Sequence, residues 1–140
     1  MPDGTVLAFD FGTRRIGVAI GEMMLRRARP LRTIAGEASA VRFTAIGDLI
    51  AEWHPARLVV GLPLAPDGAE HDMTHRCRRF ARQLEGRFGL PVSLVDERYT
   101  SVAAEQALAE AGHDWRRRRA EVDAEAAALF LQDWFDHETP

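Results

Sequence analysis

The sequence predicts an α/β fold: a five-stranded mixed sheet, built from a three-strand antiparallel meander plus two crossover strands, with helices on both faces. Three observations carry this expectation. Residues 5 to 34 hold three short apolar runs joined by tight links, the layout of an antiparallel meander. Beyond them an amphipathic helical stretch twice precedes a short apolar run, so each of those runs returns to the same sheet by a crossover. The chain has 140 residues, 46% hydrophobic and 28% charged, which suits a folded single domain over residues 1–140 rather than a disordered chain.

Thr5 to Asp10 is the first predicted strand, and a turn at Gly12-Thr13 leads into the second, Arg15 to Gly21. The third runs from about Arg27 to Ile34 and is interrupted, or placed at a sheet edge, by Pro30. Ala38 to Trp53 is a helix, because Ile46, Leu49, Ile50 and Trp53 recur at helical spacing before His54-Pro55. Arg57 to Gly61 reads as a buried strand, and Leu62 to Gly68 as a loop. From Asp72 to about Phe88 the helical period places Met73, Cys77, Phe80, Ala81, Leu84 and Phe88 on one face, with Arg78, Arg79 and Arg82 opposite. Gly89 stops that helix and Pro91 to Val95 forms a strand. A helix from Thr100 or Ser101 to Ala111, a polar connection over His113 to Ala120 and a sandwiched helix from about Glu121 to His137 complete the chain.

The net charge is −3, yet all eighteen basic residues are arginine, and they cluster. Arg26, Arg27, Arg29 and Arg32 lie in a stretch free of acids from Met23 to Ile34; Arg76, Arg78, Arg79 and Arg82 share a helix; Arg116 to Arg119 are contiguous. Such clusters either track phosphates or are solvated faces, and screening lets nearby charge outweigh distant charge. Cys77 is the single cysteine, which excludes an internal disulfide and reads as a core residue. No apolar run approaches a membrane span, and the N-terminus lacks a signal-peptide layout, so a cytoplasmic location without membrane partners is expected.

Three acids fall at apolar or structurally special positions: Asp10 in the first strand, Glu97 after the last, and Asp123 in the final helix. An ionised carboxylate in an apolar strand loses hydration. Asp10 therefore either holds a divalent cation or lies at the exposed strand end, accepting hydrogen bonds from the amides of Gly12 and Thr13. If the final helix crosses near the end of the first strand, the three acids converge. Oxygen-only ligands favour Mg2+ or Mn2+, and a pair of such ions can clamp the attacking and leaving oxygens of a phosphodiester. Adjacent strand residues point to opposite faces, so one of Asp96 and Glu97 faces that cluster, and the sequence leaves open which.

The stretch Ala8-Phe9-Asp10-Phe11-Gly12-Thr13-Arg14-Arg15-Ile16-Gly17-Val18-Ala19, the loop Val60-Gly61-Leu62-Pro63-Leu64 with Asp67-Gly68, the triplet Asp96-Glu97-Arg98 with Thr100, and Val122-Asp123 with Ala126-Ala127 resemble the YqgF family. These bacterial RNase H-like proteins are described as Holliday junction resolvases and as nucleases that process the 5′ end of precursor 16S ribosomal RNA. The resemblance implies an RNase H-like fold, with Asp10, Glu97 and Asp123 matching the family's catalytic, metal-holding carboxylates. It implies as partners structured RNA, namely precursor 16S rRNA or the ribosomal particle, or branched DNA, bound by a monomer or homodimer. Candidate nucleic-acid contacts are Gly12, Thr13, Arg14, Arg78, Arg79, Arg82, Arg98, Arg118 and Arg119. The family often carries lysine before its last aspartate, where this chain has Arg116 to Arg119, which keeps the charge and adds bidentate phosphate binding.

Other patterns are weaker. The Gly12-Thr13 turn is also similar to the phosphate-binding turn of actin-like ATPases, which need two such domains. His71 and His75 have a zinc-like spacing without a third ligand, and are expected to face solvent. Trp115, beside the arginine run, is a candidate stacking platform. A non-catalytic RNA- or ribosome-binding factor is the alternative of another class.

Overall fold

The computed structural model describes residues 4–96 and 115–137, and the side chains of all of these except 115–121. The strands are β1 (Thr5–Phe11), β2 (Arg15–Glu22), β3 (Arg27–Ala35), β4 (Pro55–Leu62) and β5 (Val92–Asp96). The helices are α1 (Ser39–Trp53), α2 (Asp72–Phe88) and α3 (Trp115–His137). They form a five-stranded sheet in the order β3-β2-β1-β4-β5. β1, β2 and β3 pair antiparallel, and β4 and β5 add in parallel beside β1, as the meander and the two crossovers predict. The predicted helix from Thr100 or Ser101 to Ala111, together with Glu97 and Arg98, lies outside the described residues.

Strand alternation sorts the core into two layers. Leu7 and Phe9 of β1, Ile16, Val18 and Ile20 of β2, and Leu58 and Val60 of β4 pack beneath α1 and α2, against Phe43, Ile46, Phe80 and Leu84. Val6, Ala8, Ala19, Val59 and Val95 pack on the other face beneath α3, against Ala127, Phe130, Leu131, Trp134 and Phe135. Helices thus cover both faces. β3 is an edge strand, where Pro30 can be accommodated; the register slips there, with Val18 opposite Arg32 and Ala19 opposite Pro30.

The helix ends follow local chemistry. The Thr74 hydroxyl accepts the His71 N–H at 3.1 Å and donates to the Pro63 carbonyl, tying the start of α2 to the end of β4. His54 and Gly89 adopt left-handed conformations after α1 and α2, and their N–H groups donate to Ile50 and Glu85, each at 2.9 Å.

Two expectations change. Residues 115–120, expected in a polar connection, already belong to α3, because arginine and alanine are strong helix formers and a run of charge limits burial rather than helicity. The last turns of α3 are not sandwiched: Trp134 and Phe135 are buried while Asp133, Asp136 and His137 are exposed, so the helix shows one face to water.

Candidate active site

Val6 and Ala8 face α3, so Asp10, two residues further along β1, projects from the same face at the strand's C-terminal end, and it is half-buried. On β2 the residues facing α3 are Arg15, Gly17, Ala19 and Gly21. Small residues let the helix come close: a Cβ added at Gly17 would overlap the backbone carbonyl of Asp123, and one at Gly21 would meet the Phe135 ring at 2.6 Å. Gly17 is also the register partner of Asp10. The Asp123 backbone therefore lies against the β2 residue that pairs with Asp10.

Asp123 has an ionic partner there. Arg15 Nε donates to Asp123 Oδ2 at 2.6 Å, with both side chains less than one-third exposed. Asp96 is placed differently. Its neighbour Val95 packs under α3, so Asp96 projects from the opposite face. Among the described residues, no group of three or more acidic, histidine or cysteine side chains clusters to hold a metal. Asp10 and Asp123 supply oxygen donors alone, which suits a hard divalent cation, and they would be two members of such a ligand set rather than a complete one.

A second arginine braces the neighbouring turn. Arg42 of α1 is 6% exposed; its Nη2 donates to the Gly12 carbonyl at 2.6 Å and its Nε to the Gly36 carbonyl at 2.7 Å. The Gly36 N–H in turn donates to the Arg14 carbonyl at 3.1 Å. Burial pushes the Arg42 pKa down from its ordinary value, and nearby Glu37 opposes that shift. A Cβ on Gly12 would meet the Arg15 carbonyl at 2.6 Å, so the turn needs glycine for close approach. The sequence reading missed Arg42 and Arg15. Arg42 had a usable signal, since it lies one turn before Ile46 on the buried stripe of α1.

Of the candidate nucleic-acid contacts, Thr13 and Arg14 are exposed at the turn and Gly12 is half-buried. Arg78, Arg79 and Arg82 do not border one depression. Arg78 Nε and Nη2 reach Glu70 at 2.9 and 3.2 Å, holding the Glu70 carboxyl below its usual range through that hydrogen bond. Arg78 and Arg82 border a shallow depression against Val92 and Leu94 of β5, whereas Arg79 lines a cleft between α1 and α2. Arg118 and Arg119 lie on the α3 backbone about one turn before Asp123. Cys77 is buried, and His71 and His75 are exposed, as expected.

A central strand flanked by a meander on one side and parallel crossovers on the other, with helices on both faces, defines an RNase H-like protein. RuvC from Thermus thermophilus, solved with a Holliday junction substrate, shares this fold: the TM-score is 0.54 at 16% identity, covering 95% of this chain and 94% of that one. The chain belongs to the family described as RuvX, Holliday junction resolvase, whose model matches residues 4–137. It is 55% identical over 134 residues to a Burkholderia cenocepacia protein named "Putative pre-16S rRNA nuclease", covering 96% of this chain and 90% of the relative. A Nitrosomonas europaea protein of the same name is 54% identical over 142 aligned positions, covering 97% and 96%. The family is one of hydrolytic nucleases.

Proposed function

We propose that this chain is a single-domain, divalent-metal-dependent endonuclease that hydrolyses phosphodiester bonds in 5′-end processing of precursor 16S ribosomal RNA in the cytoplasm. What supports this reading is the placement of the Asp123 backbone against Gly17, the register partner of Asp10 at the C-terminal end of the central strand. Glu97 is the proposed third ligand on the resemblance of the triplet Asp96-Glu97-Arg98 to the YqgF family's motif, since Asp96 itself projects from the face opposite Asp10. Mg2+ or Mn2+ held by these carboxylates would supply the charge that activates water and stabilises the departing oxygen.

The chain's own groups do the remainder. Asp10 and Asp123, with Glu97, would hold the cation. In the metal-free protein Arg15 pairs with the Asp123 carboxylate and offsets its charge. The turn Gly12-Thr13-Arg14, held by Arg42, offers exposed backbone and a cation to the phosphate beside the cleaved bond. Arg98, Arg118 and Arg119, with Arg79 and Arg82, provide flanking backbone contacts whose loss weakens binding broadly and lowers its salt dependence. Among the described residues no helix is long and apolar enough to cross a membrane.

The RuvX family description favours a second substrate, a four-way DNA junction. Two symmetric cuts would require a homodimer, whereas RNA processing can be done by a monomer. The deciding experiment offers purified protein a labelled precursor 16S leader and a four-way DNA junction with Mg2+ or Mn2+, beside an Asp10→Asn control. Metal-dependent cutting of the RNA that is lost in the control is expected. Symmetric cutting of the junction alone would transfer the assignment to the resolvase, and binding of both without cutting would leave a non-catalytic factor.

A further inference from the structure

The face of the sheet away from Asp10 and Asp123 carries a second concavity. It lies between the start of α1 and the first half of α2, and it encloses about 640 Å³, within the range of about 300–1,000 Å³ typical of small-ligand sites. Its floor is aromatic: the Phe11 and Phe80 ring centroids are 4.7 Å apart, and Phe43 lies 6.0 Å from Phe80. Phe11 is the half-buried member, and the Arg42 guanidinium lies 5.3 Å from its ring centroid. The rim is basic. Arg76 is held by Asp72 at 2.9 Å, while Arg79 is exposed and has no ion-pair partner among the described residues.

We propose that this cleft binds a nucleotide, its base at the half-buried Phe11 and its phosphate at Arg79. A bare phosphate would leave the aromatic floor unused, and an apolar ligand would leave Arg79 unpaired; a planar base joined to an anion satisfies both. Gln83, on the same wall, offers an amide that can donate to and accept from a base edge.

The location suggests the source. Phe11 and Thr13 line the cleft, Gly12 lies between them, and Asp10 faces the other side of the sheet. A strand bent over the β1–β2 turn can hold its scissile phosphate at the carboxylates and place an unpaired neighbouring nucleotide in the cleft. This part rests on the nuclease reading, whereas a free nucleotide would use the same chemistry without it.

The test uses the full chain carrying Asp10→Asn, so that bound RNA stays intact, and follows backbone amide shifts by NMR. Uridine monophosphate, a short single-stranded RNA and the same RNA with one abasic position are the probes. Shifts at Thr13, Ser39 and residues 75–79 are expected, with affinity falling about tenfold or more on abasic substitution, the worth of one base–aromatic stack. Arg79→Glu should weaken both uridine monophosphate and the intact RNA by a similar factor. If the mononucleotide gives these shifts and the RNA does not, the cleft stands as a site for free nucleotides. RNA bound with no shift at these amides, or with no abasic effect, overturns the cleft while leaving the nuclease reading intact. An RNA that does not bind at all, with a silent cleft, overturns both.

Discussion

Arg15 and Asp123 are separated by 108 positions in the chain and meet at 2.6 Å, which puts a guanidinium where the proposed reaction needs a metal cation. The two positive charges then compete for one carboxylate. Arg15→Gln should therefore do two opposite things: lower the stability of the metal-free protein by about 1 kcal/mol, the upper range for a partly exposed ion pair, and raise its affinity for Mn2+. Chemical unfolding in chelator and calorimetric titration with Mn2+ check the two halves. A variant with weaker Mn2+ binding would mean that Arg15 helps to build the ligand set rather than competing for it. Arg42 differs, because its partners are the carbonyls of Gly12 and Gly36, so its role is to fix the turn rather than to balance a charge.

At the scale of elements, the contact between β2 and α3 decides where Asp123 stands. Gly17→Ala would drive a methyl group into the Asp123 carbonyl, at a cost of about 1–3 kcal/mol, and would shift α3 away from Asp10. Gly86→Ala provides the contrast: an added Cβ in α2 meets nothing within 4 Å and the helix gains about 0.5–1 kcal/mol. Urea denaturation of the two variants should thus give changes of opposite sign, with cleavage lowered only in Gly17→Ala. The C-terminal turn of α3 carries a pH signature. A hydrogen bond to the Asp133 carbonyl, aided by the Asp133 carboxylate, raises the pKa of His137 above its ordinary value of 6.5. Protonated His137 favours the folded helix, so its contribution is fully present below about pH 6.5 and is lost as pH rises through the raised value. An NMR titration of the His137 ring should show the raised midpoint, and Asp133→Asn should lower it.

Over the whole molecule, the meander and the two crossovers were legible because each strand and helix announces itself by local periodicity and by the turn residues Gly12, Pro55 and Gly89. Asp10 stood out in the sequence as a carboxylate in an apolar strand, which leaves open whether it holds a cation or caps the turn. The Arg15 contact was not legible, since nothing local in a chain links residues 108 apart; it needed the register of β2 against α3. The start of α3 was misplaced because a run of arginines reads as solvated, although solvation and helicity are compatible. Similarly, Arg78, Arg79 and Arg82 looked like one face by spacing, and the packing of α2 between α1 and β5 divides them. Arg42 could have been read from its position on the apolar stripe of α1.

The proposed mechanism has Asp10 and Asp123 hold the cation that drives cleavage. Its most direct test is the rate of precursor 16S leader cleavage across a Mn2+ titration for the native chain, Asp10→Asn and Asp123→Asn, with RNA affinity measured in the same samples. Each variant should lose more than the roughly 10- to 100-fold that removing a hydrogen-bond partner of a metal ligand costs, while still binding the RNA. Cleavage by Asp10→Asn at the native rate and the native Mn2+ dependence would contradict the account.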